Sequence, residues 1–372
     1  MSDRVHDAYA LGFSVWHDDL SRALLTSGAL AQMVREGVVG VTSNPSIFEK
    51  AIDGSSDYDA QLTQLVLEGT TDPKAIYERL AIDDIRTATD VLRPAYERTG
   101  GRDGFVSMEV SPLLAHDAAG TVAEARRLVA AIGRDNALVK VPGTAAGMVA
   151  IEELTALGIS VNVTLLFSID AYRACAAAFI VGLERFAAAG GDLGTVTGIA
   201  SFFLSRIDTL VDQRIGIALQ ANRDRERGEQ LESLRGAIAI ASAKVAYREY
   251  QTIVASPRWQ SLAGQGARPQ RLLWASTSTK NPDYPPTMYV DGLIGPDIVN
   301  TMTAATYREF RDHSTPRVTV TEDLAGAERT LALLEKDGRL ERTAIIVTAA
   351  HGFAAHEEGV AVTDAVVKAQ LK

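Results

Sequence analysis

Short apolar runs alternate with longer amphipathic stretches along most of the chain. Eight of the runs read as strands, being rich in apolar and β-branched residues and bounded by Gly, Pro, Asn or Asp. They are Ser14–Asp18, Val38–Thr42, Phe105–Val110, Ala137–Val141, Ile159–Thr164, Thr195–Ala200, Arg271–Ala275 and Thr287–Val290. Helical periodicity fills the spaces between them, as in Ser21–Glu36, Asp72–Glu97, Ile169–Ala189, Phe203–Gln220, Gly236–Val254 and Gly295–Arg311. Strand–helix alternation implies parallel strands with helices outside. Eight such units predict an α/β protein of the (β/α)8 TIM-barrel class, with residues 1–312 as the catalytic barrel and a helical segment inserted between strands six and seven. An open doubly wound sheet is the alternative, disfavoured because no G-x-G-x-x-G follows the first strand. Two stretches take no functional role. The charge-dense Arg223–Glu232 reads as a solvated loop or helix end, and the Pro/Gly/Gln-rich Ser256–Pro269 as a surface loop. Beyond residue 312 the pattern changes. Asp323–Lys336 looks helical, Thr343–Ala349 is β-branched and Glu357–Leu371 could form a last helix, so residues 313–372 are expected to be a C-terminal extension packed on the barrel.

One strand carries an unusual residue. In Asn136-Ala-Leu-Val-Lys-Val-Pro-Gly143, alternation puts Leu138 and Lys140 on one face and Val139 and Val141 on the other. A lysine on a buried face must be paired or give up its proton, and a neutral lysine amine forms imines with ketones. Taken alone, a lysine at a strand end equally snorkels to solvent.

The other strand ends change that balance, because C-terminal strand ends in such a barrel converge on one mouth. They supply Asp18 and Asp19, Thr42 and Asn44, Glu109, Asn162 and Thr164, Ser201, Phe203 and Arg206, and then Ser276, Ser278 and Lys280. Several have plain structural readings. Asp19 fits the N-cap of a helix opening at Leu20. Asn44-Pro-Ser is a turn signal. Ser201 could cap a helix opening at Phe202, and Arg206 by itself fits a surface helix position. Glu109, inside an apolar strand, needs a partner. Asn162 and Thr164, two apart, share a face.

Together these groups suggest a reaction. Lys140 condenses with a ketone, a carboxylate and a hydroxyl move protons as carbinolamine becomes imine, and the protonated imine accepts the electrons released by C–C cleavage. A second carboxylate takes the proton from the hydroxyl at the bond that breaks. Arg206, with Ser276 and a nearby helix N-terminus, would hold a phosphate.

Composition adds limits. Of 372 residues, 47% are hydrophobic and the net charge is −10, with a pI near 5.2, so nucleic-acid and anionic-membrane surfaces are not expected. Any phosphate site must be a local basic pocket. Cys175 is the single cysteine, which suits a reducing cytoplasm. Met1–Ala10 has no apolar signal-peptide core, and no apolar run approaches the roughly 20 residues that span a bilayer.

The chain resembles the transaldolase family, of the longer bacterial type. The matching segments include Ser14-Val-Trp-His-Asp-Asp-Leu-Ser-Arg22, Gly40-Val-Thr-Ser-Asn-Pro-Ser-Ile-Phe48, Val106-Ser-Met-Glu-Val-Ser-Pro112 and Leu138-Val-Lys-Val-Pro-Gly-Thr144. They continue in family order with Val161-Asn-Val-Thr-Leu-Leu-Phe-Ser168, Ala200-Ser-Phe-Phe-Leu-Ser-Arg-Ile207 and Trp274-Ala-Ser-Thr-Ser-Thr-Lys-Asn-Pro282. The resemblance implies a barrel without metal or cofactor that moves a dihydroxyacetone unit between sugar phosphates in the pentose phosphate pathway. It assigns the Schiff base to Lys140, acid/base work to Asp18, and the catalytic water to Glu109 and Thr164. It assigns the dihydroxyacetone hydroxyls to Thr42, Asn44, Asn162 and Ser201, the phosphate to Arg206 and Ser276, and a pocket wall to Phe203. Where many relatives carry an arginine this chain has Ser278, so either Lys280 supplies the charge or the phosphate is held less tightly. Relatives end in a helix with an aromatic residue near the mouth, whereas Glu357-Glu-Gly-Val-Ala-Val-Thr-Asp-Ala-Val-Val367 has Val362 and no Phe. Monomer and homodimer both remain open.

Overall fold

A computed structural model describes residues 4–336. Its centre is a closed, all-parallel barrel with strands in sequence order. The strands are β1 Phe13–His17, β2 Gly40–Thr42, β3 Phe105–Glu109, β4 Ala137–Pro142, β5 Val161–Leu166, β6 Gly198–Phe203, β7 Arg271–Ala275 and β8 Ile298–Met302. β1 pairs with β8, which closes the ring. This is the (β/α)8 architecture the alternation predicts, with helices between successive strands.

Side-chain alternation sorts the strands into two faces. Val139, Val141, Val161 and Val163 pack outward against the helices, within the large shared core. Trp16, Phe105, Leu138, Ile199, Leu273 and Val299 point inward and fill the waist of the barrel. Trp16 requires Gly40 beside it, because a Cβ there would lie 2.3 Å from the indole. Below this apolar plug the barrel floor is polar. Arg271 donates to Asp103 at 2.9 Å and to Ser14 Oγ at 3.0 Å, and Ser14 donates on to Asp103 at 3.0 Å. Above the plug, polar residues return and form the mouth.

Several expected elements are corrected. Thr287–Val290 is not the eighth strand. Met288–Asp291 forms a short helix, and its β-branched and aromatic residues are buried by packing rather than by sheet pairing. The true β8 lies inside the stretch read as the helix Gly295–Arg311, where Asn300 and Thr301 dilute the strand signal. The helix starts only at Ala304. β5 and β6 run further toward the mouth than expected. The Ser256–Pro269 loop contains the helix Pro257–Ala263, which buries Trp259 and Leu262. Arg225–Glu232 is an exposed helix. With Ile238–Ala255, these helices make up the insertion between β6 and β7. The helix expected at Asp323–Lys336 is present as Leu324–Lys336 and lies against the Ile238–Ala255 helix. The expected Thr343–Ala349 strand and Glu357–Leu371 helix, and Val362, fall outside the described residues. Among the described residues no helix is long and apolar enough to cross a membrane.

Candidate active site

A cavity of about 350 Å³ opens at the C-terminal ends of the strands. Every candidate named from the sequence lines it except Asn162 and Asp19. Adjacent register brings the central groups together. Glu109 on β3 stands beside Lys140 on β4, and Lys140 stands beside Asn162 on β5.

Lys140 Nζ lies 3.0 Å from Glu109 Oε2 and donates to the carbonyl of Ser43 at 3.2 Å. Both side chains are nearly buried, at 6% and 7% exposure for the two residues, so a charge on either needs a partner, and each offers one to the other. The buried lysine thus has a carboxylate partner at contact distance. Across the mouth, Thr42 Oγ1 donates to Asp18 Oδ1 at 2.6 Å and shares a second 2.6 Å bond with Thr301 Oγ1. This fixes the Asp18 carboxylate at the end of β1. Thr164 lines the wall from β5, whose backbone is bulged between Val163 and Leu166, with Leu165 in a left-handed conformation at φ 64°.

Asn162 lies one layer deeper and is fully buried. It donates to Ser107 Oγ at 3.0 Å and accepts from Ser201 Oγ at 2.7 Å, so it orients Ser201 rather than reaching the cavity wall. Ser201 sits within β6 and caps no helix. Asp19 is not an N-cap either. The first helix after β1 begins at Arg22, and Ser21 Oγ caps it by accepting from Leu24 N–H at 3.2 Å. Asn44 does cap its helix, Pro45–Asp53, and also lines the cavity. His17, immediately before Asp18 and Asp19 in sequence, faces the helix layer. Burial pushes its imidazole below the usual range, against the pull of Asp19 and Asp18.

The opposite rim is cationic. Arg206, in the first turn of the helix Ser205–Ala221, lies over the Phe203 ring at 5.2 Å. Burial lowers its guanidinium, with Asp18 and Glu109 pulling the other way. Ser276 holds φ 55°, a conformation most side chains avoid, and its hydroxyl bonds to Ser205 Oγ at 2.9 Å. Ser278 is engaged by Thr303 Oγ1 at 2.9 Å and Thr306 Oγ1 at 2.7 Å. Lys280 is exposed at the mouth, with no carboxylate partner among the described residues.

Sequence reasoning missed Lys50, Thr301 and Thr303, all of which line the cavity. Thr301 and Thr303 were hidden by the misplaced eighth strand. Lys50 had a readable signal. Ser46, Ile47 and Lys50 fall at helical spacing behind the Asn44 cap, so one face of that helix looks into the mouth.

Asp208, two residues beyond Arg206, gives a pH-dependent prediction. Burial pushes its carboxyl up to about 7, opposed by donors from Ala239 N–H and Tyr289 OH. A raised folded pKa means the folded state holds the proton more tightly. The stabilisation is therefore full below the ordinary carboxylate value and fades as pH climbs from about 4 to 7. Urea midpoints should fall over that window, and Asp208→Asn should flatten the fall. An unchanged slope would contradict the assignment.

The sequence matches the model of the transaldolase/fructose-6-phosphate aldolase family over residues 15–351. A protein of Thiobacillus denitrificans named transaldolase is 51% identical over 312 residues, covering 83% of this chain and 84% of its own. Transaldolase 2 of Nostoc sp. is 50% identical over 304 residues, covering 81% and 80%. A transaldolase of Parafrankia sp. is 46% identical over 340 residues, covering 91% and 90%.

Proposed function

Because the chain belongs to the transaldolase/fructose-6-phosphate aldolase family and is an enzyme that transfers aldehyde or ketone residues, we propose the following substrates and route. The donor is a ketose phosphate, fructose 6-phosphate or sedoheptulose 7-phosphate. The acceptor is an aldose phosphate, erythrose 4-phosphate or glyceraldehyde 3-phosphate. The dihydroxyacetone unit travels on Lys140 as a Schiff base, in the cytoplasm.

The observation that carries this reading is the Lys140–Glu109 contact at 3.0 Å inside the barrel, with Asp18 on the same cavity. Glu109 takes the ammonium proton, and the freed amine attacks the ketone carbon. The carbinolamine then loses water with a proton returned from Glu109 through a water held by Thr164. Asp18, oriented by Thr42, takes the proton from the C4 hydroxyl as the C3–C4 bond breaks. The electron pair passes into the iminium, and the aldose leaves. The acceptor aldehyde reverses these steps, with Asp18 returning its proton to the new hydroxyl, and hydrolysis frees Lys140. Thr42, Asn44 and Ser201 bind the hydroxyls of the unit in transit, with Asn162 holding Ser201. Arg206, Ser276 and Lys280 hold the phosphate, which positions the reacting carbon. The partners in this reading are small sugar phosphates.

Borohydride added with fructose 6-phosphate should reduce the imine and leave a three-carbon adduct on the peptide that contains Lys140. An unmodified peptide would remove the reading. Glu109 and Phe203 favour transfer over simple cleavage, since cleaving relatives carry glutamine and tyrosine there. Release of free dihydroxyacetone without acceptor, as fast as transfer, would reverse that choice.

A further inference from the structure

We propose that Asp208 and Asp212 are positioning residues for the phosphate subsite, tying the helix that carries Arg206 to the segment that carries Lys280; this rests on the phosphate roles proposed above. The two aspartates are one helical turn apart on Ser205–Ala221 and share a face. Each accepts one bond from the inserted segment and one from the segment that follows β7. Asp208 accepts from Ala239 N–H at 2.8 Å and from Tyr289 OH at 2.9 Å. Asp212 accepts from Gly236 N–H at 3.0 Å and from Tyr284 OH at 2.6 Å.

Tyr284 stands four residues beyond Lys280. The turn between them is closed by Tyr284 N–H on the Asn281 carbonyl at 3.2 Å and Asp283 N–H on Asn281 Oδ1 at 3.0 Å. Gly236 has φ 63°, and a Cβ there would meet Tyr284 Cζ at 2.7 Å, so the ring lies directly across this glycine. At its near end the same segment is held by Ser205 N–H on the Ser276 carbonyl at 3.0 Å. The stretch from Ser276 to Tyr289 is thus anchored along one helix at three levels. Lys280 lies between the first two anchors in sequence, without a carboxylate partner among the described residues. Fixing its backbone on both sides reduces the freedom a flexible lysine loses when it meets an anion. None of these bonds reaches Lys140, Glu109 or Asp18, so their loss should affect phosphate recognition and leave imine chemistry intact.

The test is steady-state kinetics at saturating fructose 6-phosphate, with glyceraldehyde 3-phosphate or unphosphorylated glyceraldehyde as acceptor. Tyr284→Phe and Asp212→Ala should raise the KM for glyceraldehyde 3-phosphate about fivefold to tenfold, in the direction of Lys280→Ala, with kcat within about twofold. Turnover of unphosphorylated glyceraldehyde should stay unchanged in both. Asp212→Asn should restore the KM, because the amide keeps both partners. Its oxygen accepts from Gly236 N–H, and its NH2 donates to the Tyr284 oxygen. Equal losses with both acceptors, or an unchanged KM for the phosphorylated one, would reduce the aspartates to structural residues and overturn the proposal. If the unaltered enzyme showed no preference for the phosphorylated acceptor, the phosphate assignment itself would fall and this inference with it.

Discussion

Lys140→Ala should lower turnover by roughly four orders of magnitude or more, because the covalent route closes with the nucleophile gone. Fructose 6-phosphate should still bind, since Arg206, Ser276 and Lys280 on the other rim are untouched. The alanine variant also strands Glu109 without its counter-charge, so a loss of activity could be blamed on a disturbed pocket. Lys140→Arg separates the two effects. It keeps a cation beside Glu109 but cannot form an imine, and it should be as inactive as the alanine variant. Measurable turnover above about one per cent in either variant would refute covalent catalysis through this residue.

At the other end of the barrel, Asp103→Ala should destabilise the fold by about 3–5 kcal/mol. Asp103 is fully buried, the Arg271 side chain is 5% exposed, and their 2.9 Å contact closes a floor network through Ser14 Oγ. Trp16 Nε1–H also donates to the same carboxylate at 3.4 Å. Removing the acid leaves the Arg271 guanidinium without its counter-charge beneath the apolar waist, with only the neutral acceptors Ser14 Oγ at 3.0 Å and the Arg102 carbonyl at 2.6 Å, and leaves the indole N–H without its carboxylate. The double replacement Asp103→Leu with Arg271→Met should cost less than Asp103→Ala alone, because no buried charge remains. Urea denaturation of the single and double variants measures this. A single variant as stable as the parent would mean that water or another group satisfies Arg271.

The same alternation logic reached the Lys140 pair and missed the Asp103 pair, for a definite reason. Lys140 stands inside a six-residue apolar strand, where period-two spacing assigns its face without further information. Glu109 stands out for the same reason. Asp103 lies in the turn Gly101-Arg-Asp-Gly104, which reads as solvated loop, and its partner lies 168 residues away at the first position of β7. Only closure of the ring brings those two together.

From its own order of residues, then, this chain declares a parallel barrel, the inward face of each clear strand, and the acids, amide and amine that ride on those faces. Local spacing suffices for that, because side-chain direction in a strand is a property of neighbours in sequence. Folding in three dimensions decides the rest. It places β8 at Ile298–Met302, where Asn300 and Thr301 look unlike strand residues until β1 and β7 flank them. It sends Asn162 below the cavity floor and brings Thr301 and Thr303 to the mouth. It also turns an inserted helical segment into a brace for Tyr284 and Tyr289, because hydrogen bonds between distant segments depend on where the barrel brings their backbones.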